Sequence, residues 1–162
     1  MGMYSIFLEQ ERNKSEKLLH NIMPKSIAEK LKNNIKTISM DNPEISVLFA
    51  DIVSFTEMSE KISSEKIVGF LNDMFSQFDD LTETYGVEKI KTIGDSYMVV
   101  SGMPVQRKDH ALTLFNLAKE MIKISAQFED HNGNPIKLRI GINSGPAISG
   151  VIGKSKFAFD AV

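Results

Sequence analysis

The chain contains no cysteine, which removes disulfide staples, zinc ribbons and thiol catalysis together and suits a reducing compartment. It also has no excess of positive charge. The 19 Lys+Arg against 21 Asp+Glu leave a formal net charge of -2, so no global field draws in nucleic acid or an anionic membrane. No apolar run approaches the roughly 20 residues that cross a bilayer, and the N-terminus lacks a signal peptide's charged start, apolar centre and small-residue cleavage site. The expectation is a cytoplasmic segment without nucleic-acid or membrane contact, whatever anchors the rest of the protein. The three histidines, His20, His110 and His131, have no partner His or Cys at i+3 or i+4 and read as surface residues. What is present is 162 residues, 42% of them hydrophobic, enough for one domain with a sizeable core and not for two.

Residues 1–32 differ in texture from the rest. From Glu9 to Lys32 the chain is charge-rich and glycine-free, and Phe7, Leu8, Leu18, Leu19 and Ile22 recur at roughly helical spacing with Glu11 and Ser15 between them. Pro24 ends that helix, since proline lacks a donor and disfavours helix at the residue before it, and it can open a second short helix through Leu31. Residues 1–32 therefore read as a helical linker, either packed on its own domain or forming a coiled coil.

From Glu44 onward the pattern changes. Ile45, Val47 and Phe49 lead through a mostly buried strand to Asp51. Ser63 or Ser64 can cap a helix in which Ile67, Leu71, Met74, Phe78, Leu81 and Tyr85 advance by four and three, and Gly86 ends it. Val87–Ile93 and Tyr97–Ser101 flank Gly94-Asp95-Ser96 as a hairpin. Asp109 starts a second amphipathic helix that closes at the turn cluster His131–Pro135. Strands follow over Ile136–Asn143 and Ala147–Ile152, separated by Ser144-Gly145-Pro146, and then over Lys156–Asp160. This order is that of an α+β, ferredoxin-like βαββαβ sandwich.

Asp51 ends a buried strand and Asp95 tips a hairpin, positions that such a fold can bring side by side. Two close carboxylates repel unless a cation lies between them, and hard oxygen donors of this kind suit Mg²⁺ or Mn²⁺ when a substrate phosphate completes the shell. After Asp51, the backbone amides of Val53, Ser54, Phe55 and Thr56 are placed to cradle phosphates. Gly150-Val151-Ile152-Gly153-Lys154-Ser155 ends like a nucleotide-binding P-loop. The glycine required five positions before Gly153 is, however, Ile148, and no helix can follow.

Three segments, Leu48–Thr56, Glu88–Met98 and Arg139–Pro146, resemble in order and spacing the class III nucleotidyl cyclase catalytic domain, the likeness running from Glu44 to Asp160. Lys17–Ala28 resembles the helical linker found before such domains. The resemblance implies a cyclase catalytic domain over 44–162. Two Mg²⁺ or Mn²⁺ ions would be held by Asp51, Asp95 and the Ile52 carbonyl, assisting attack of the ribose 3′-hydroxyl on the α-phosphate and departure of pyrophosphate. It assigns base recognition to Lys91 and Asp160. Lysine donates to N1 of adenine and a carboxylate accepts from the 6-amino group, whereas guanine offers the reverse pattern. The implied substrate is thus ATP and the product cyclic AMP.

The resemblance also implies a head-to-tail homodimer, or a heterodimer with another cyclase domain, in which Asp51 and Asp95 come from one chain and Lys91 and Asp160 from the other. The family's transition-state Asn and Arg would lie beyond Val162, so the expectation is a domain lacking its C-terminal part and inactive alone. The alternatives are a guanylate cyclase, or a cyclase-like domain that binds nucleotide or a regulatory partner without turnover.

Overall fold

The computed structural model describes residues 2–33, 39–152 and 158–161. They divide into two compact units, one of Asn42–Ala147 and the other of the described residues within 1–41 and 148–162. In the second of these, α1 (Met3–Ile22) buries no residue, while α2 (Lys25–Lys32) buries Ile27 and Ala28. α1 begins well before the charge-rich stretch and stops where expected: Pro24 stands as the N-cap of α2 with φ -56°, a value its ring imposes anyway. Lys32 and Glu16 join the two helices at 2.7 Å.

The larger unit contains most of β1 (Ser39–Ile52), then α3 (Phe55–Lys61), α4 (Ser64–Tyr85), β2 (Glu88–Ile93), β3 (Ser96–Ser101), α5 (His110–Ser125) and the first part of β4 (Leu138–Ile152). The strands lie in the order β2-β3-β1-β4, with β3 antiparallel to both β1 and β2. This is the ferredoxin-like arrangement. Outside this unit, β5 (Ala158–Ala161) pairs antiparallel with the end of β4, Ser149 facing Ala161.

Local sequence accounts for the element ends. The Ser63 hydroxyl accepts from the Lys66 amide at the start of α4, and Gly86 ends that helix with φ 65°, a left-handed turn that costs glycine nothing. The hairpin turn is tighter than expected: Ser96 already belongs to β3, leaving Gly94, at φ 57°, and Asp95 as the turn. β4 runs without a break through Ser144-Gly145-Pro146, contrary to the expected pair of strands. Proline's fixed φ is compatible with extended backbone, and only its missing donor limits it in a strand.

The core fills the space between the sheet and its two long helices. Leu48, Ala50 and Ile52 of β1 and Tyr97 and Val99 of β3 meet Ile67, Met74 and Phe78 of α4 and Leu114, Leu117 and Met121 of α5. These side chains recur at intervals of two on strands and three or four on helices, the periods at which one face of each element is buried.

Two histidines depart from the surface reading. His110 is buried, its Nδ1 2.6 Å from the Ser46 hydroxyl, which in turn lies 2.6 Å from that of Ser144. His131 has both ring nitrogens buried without a hydrogen-bond partner, with Nε2 3.6 Å from Glu57. A histidine packed at the start of an amphipathic helix extends that helix's inward face, and nothing in its spacing from other histidines signals this.

Candidate active site

The register of the central strands determines what Asp51 and Asp95 can do. Ala50 of β1 stands opposite Tyr97 of β3, so the end of β1 lies beside the β2–β3 turn. Asp95 reaches across it: its Oδ2 accepts from the Ile52 amide at 3.0 Å. The two carboxylates that lie 44 positions apart in the chain are thereby adjacent, one borne by the residue next to the amide that holds the other.

A third charged group joins them. Arg139 Nε donates to Asp51 Oδ1 at 2.9 Å across from β4. Arg139 opens the Arg139–Pro146 segment, and its pairing with Asp51 is not among the roles expected from the sequence. The available signal is a cation set between Leu138 and Ile140 on a strand whose neighbour ends in a carboxylate.

The amide cradle is shorter than expected. The Val53 amide donates to the Lys137 carbonyl at 2.9 Å and that of Ile52 is held by Asp95, so the amides left to face a phosphate begin no earlier than Ser54. Ser54 takes φ 60°, the only positive φ of a non-glycine residue among the described residues, and acts as the N-cap of α3. The first-turn amides of a helix, here those of Phe55 and Thr56, have no partner within the helix itself.

Lys91 owes its placement to an irregularity. Lys89 pairs with Val99 and Lys91 with Met98, so Ile90 is the extra residue of a β-bulge. Neighbouring residues of one strand face opposite sides, and the bulge therefore sends the two lysines to opposite faces of the sheet. Lys89 goes with Val99 to the helix side, where it pairs with Asp79 at 2.9 Å. Lys91 shares the other face with Met98, Phe49 and, two residues further along β1, Asp51. A regular strand would have put both lysines on one face, as their alternation suggests. Asp160 is half-buried on β5, in the other compact unit, opposite Gly150 of β4. Lys154 and Ser155 of the set-aside P-loop lie outside the described residues, while Gly150 to Ile152 are strand.

Residues 37–161 match the family model described as the adenylate and guanylate cyclase catalytic domain. The chain belongs to this family. An adenylate cyclase of Mycobacterium tuberculosis is 47% identical over 154 residues, 94% of this chain and 35% of that protein. The receptor-type guanylate cyclase Gyc76C of Drosophila melanogaster is 41% identical over 149 residues, 89% of this chain and 10% of that protein. The domain thus spans about a third or less of the length of these relatives. Among solved structures, the catalytic core of a rhodopsin-guanylyl cyclase with converted specificity, in complex with ATPαS, superposes with a TM-score of 0.72 at 35% identity, over 76% of this chain and 67% of that one. The adenylyl cyclase CyaB of P. aeruginosa superposes with a TM-score of 0.67 at 25% identity, over 76% and 67%.

The cyclase domain's donors fit the metals of its family. Two carboxylates and a backbone carbonyl are hard oxygen ligands, the set that Mg²⁺ accepts when phosphate oxygens supply the remainder. Among the described residues no group of three or more His, Cys, Asp or Glu could hold a metal by itself. Nor is any helix among them long and apolar enough to cross a membrane.

Proposed function

We propose that this cyclase domain converts ATP to 3′,5′-cyclic AMP and pyrophosphate in cyclic-nucleotide signalling. The observation that carries the reading is the seating of Asp95 on the Ile52 amide, which sets two carboxylates together beside the start of α3. In the reaction the ribose 3′-oxygen bonds to the α-phosphorus and loses its proton. The bond from that phosphorus to the bridging oxygen breaks, and pyrophosphate leaves with the electron pair. Asp51, Asp95 and the Ile52 carbonyl would hold two Mg²⁺ or Mn²⁺ ions, whose contribution when bound is to acidify the hydroxyl and neutralise charge on the phosphates.

The chain's own residues supply the rest by positioning and electrostatics. Ser54, Phe55 and Thr56 offer amides to the triphosphate, with Val53 setting the turn through its bond to Lys137. Arg139 is a second positive group within reach of the same anion, balanced by Asp51 until a phosphate arrives. Lys91 and Asp160 read the adenine edge by donating to N1 and accepting from the 6-amino group. We assign them to the partner half of a head-to-tail homodimer, or of a heterodimer with another cyclase domain. Residues 44–162 are the catalytic part and residues 1–32 a helical linker before it.

The test is cyclic nucleotide formation from ATP and from GTP with Mn²⁺, on this chain and on the chain extended to the length of its relatives. Cyclic AMP from ATP, lost in Lys91→Glu with Asp160→Cys, supports the reading. Cyclic GMP from GTP at an equal or higher rate makes the domain a guanylate cyclase. Binding of nucleotide with no product from any form makes it a non-catalytic module.

A further inference from the structure

We propose that Asp79 of α4 is a positioning residue for Asp95, acting through Tyr97, an inference that rests on reading Asp95 as a metal ligand. Tyr97 has no solvent exposure, and its hydroxyl donates to Asp79 Oδ1. The same carboxylate takes Lys89 Nζ at 2.9 Å, and that ammonium lies 5.2 Å from the centre of the Tyr97 ring. Phe75 and Phe78 hold the ring from the helix side at centroid distances of 5.2 and 5.4 Å. One carboxylate on α4 thus grips both strands of the hairpin, Lys89 from β2 and Tyr97 from β3.

The location of that grip matters more than its strength. Tyr97 stands opposite both Ala50 and Thr92, and beyond this row the hairpin has a single further pair, Ile93 with Ser96, before the Gly94-Asp95 turn. The turn's aim is therefore set by the last anchored residue, Tyr97, and read out at the Ile52 amide. A buried phenol needs a partner for its hydroxyl, which phenylalanine at this position would not, and the helix supplies that partner at one point.

The experiment uses the whole chain labelled with ¹⁵N, in wild-type, Tyr97→Phe, Asp79→Asn, Asp79→Glu and Asp95→Asn forms. It follows amide hydrogen exchange and the broadening of resonances on adding Mn²⁺. In Tyr97→Phe and Asp79→Asn the amides of the β1–β3 ladder should keep their wild-type protection while that of Ile52 exchanges roughly tenfold faster. The Mn²⁺ needed to broaden resonances around Asp95 should rise roughly 10- to 100-fold, the usual effect of losing a group that orients a ligand, and Asp79→Glu should recover part of it. Unchanged Ile52 exchange in both variants overturns the proposal. So does a uniform loss of protection along the ladder, because Asp79 would then be only a general brace. Unchanged Mn²⁺ broadening in Asp95→Asn strikes the metal reading instead, and the response of the Ile52 amide still decides the positioning role.

Discussion

Five consecutive residues of β1 show two kinds of surface on one strand. Leu48, Ala50 and Ile52 are 2% exposed or less and meet the helices. Between them, Phe49 is 49% exposed and the Asp51 side chain 36%. On the helix side, apolar groups fill the volume, and two of the buried polar groups there are paired, Tyr97 with Asp79 and Ser46 with His110, while the Ser101 hydroxyl has no hydrogen-bond partner. On the other side, Asp51, Arg139 and Lys91 stand on positions that the core does not use. The same backbone thus serves stability with one face and leaves the other free to carry charge that packing would forbid. The comparison breaks if substitutions on the two faces have similar consequences.

The largest separation of effects belongs to the carboxylates. Asp51→Asn or Asp95→Asn, in a form of the protein that turns over ATP, should lower the rate by about 10³-fold or more, equivalent to roughly 4 kcal/mol, while leaving the melting temperature within a few degrees. Near-normal turnover with Mg²⁺ as the only metal would remove both residues from the site. On the opposite face, Met74→Ala deletes a fully buried side chain and should cost about 2–5 kcal/mol in a urea titration. A loss below about 1 kcal/mol there would mean that the packed face is not what holds the unit together.

The sequence made one of these faces easier to read than the other. The helix side is written in periodicity: Ile67, Leu71, Met74, Phe78 and Leu81 announce α4, and Ser63 and Gly86 bound it as their chemistry requires. The carboxylates were legible as strand-end and turn residues that the expected fold could bring side by side, and the resemblance implied the metals they would hold. Three features escaped. The bulge at Ile90 carries no glycine or other local marker, so Lys89 and Lys91 looked like neighbours on one face. The bonds of Arg139 to Asp51 and of Val53 to Lys137 depend on the β1–β4 adjacency, which no local pattern encodes. Pro146 read as a break because its missing donor is a local fact, whereas its tolerance in β4 is decided by the strands around it.

A smaller effect tests the sheet's outer strand. Burial pushes the Glu88 carboxyl up from its ordinary 4.5 to about 7. Between those values the folded chain keeps a proton that the unfolded chain has released, so the contribution of this group to stability is fully present below about 4.5 and is lost as pH rises through about 7. Glu88→Gln removes the titration. Relative to wild type it should gain on the order of 1–2 kcal/mol at pH 8 after allowance for solvent screening, and nothing comparable near pH 4.5. Denaturant titrations of both proteins at the two pH values measure the difference, and a gain independent of pH would show that Glu88 is not held protonated.

The smallest effect sharpens the comparison most, because it separates two neighbours in sequence. Phe49 is large and apolar, yet it lies on the charged face beside Met98, half in solvent. Phe49→Thr keeps a strand-compatible, β-branched side chain and should change the stability of dilute protein by about 1 kcal/mol or less, against about 2–5 kcal/mol for Leu48→Ala one residue away. If this face packs on a second domain, the difference will not stay small as concentration rises, since binding to the folded form adds stability that grows with the logarithm of partner concentration once that concentration exceeds Kd. Melting temperatures of wild type and Phe49→Thr, measured from micromolar to millimolar protein, should therefore diverge with concentration while those of Leu48→Ala remain offset by a constant amount. Parallel curves for Phe49→Thr would leave its exposed ring without a role in assembly and would confine the function of that face to its charged residues.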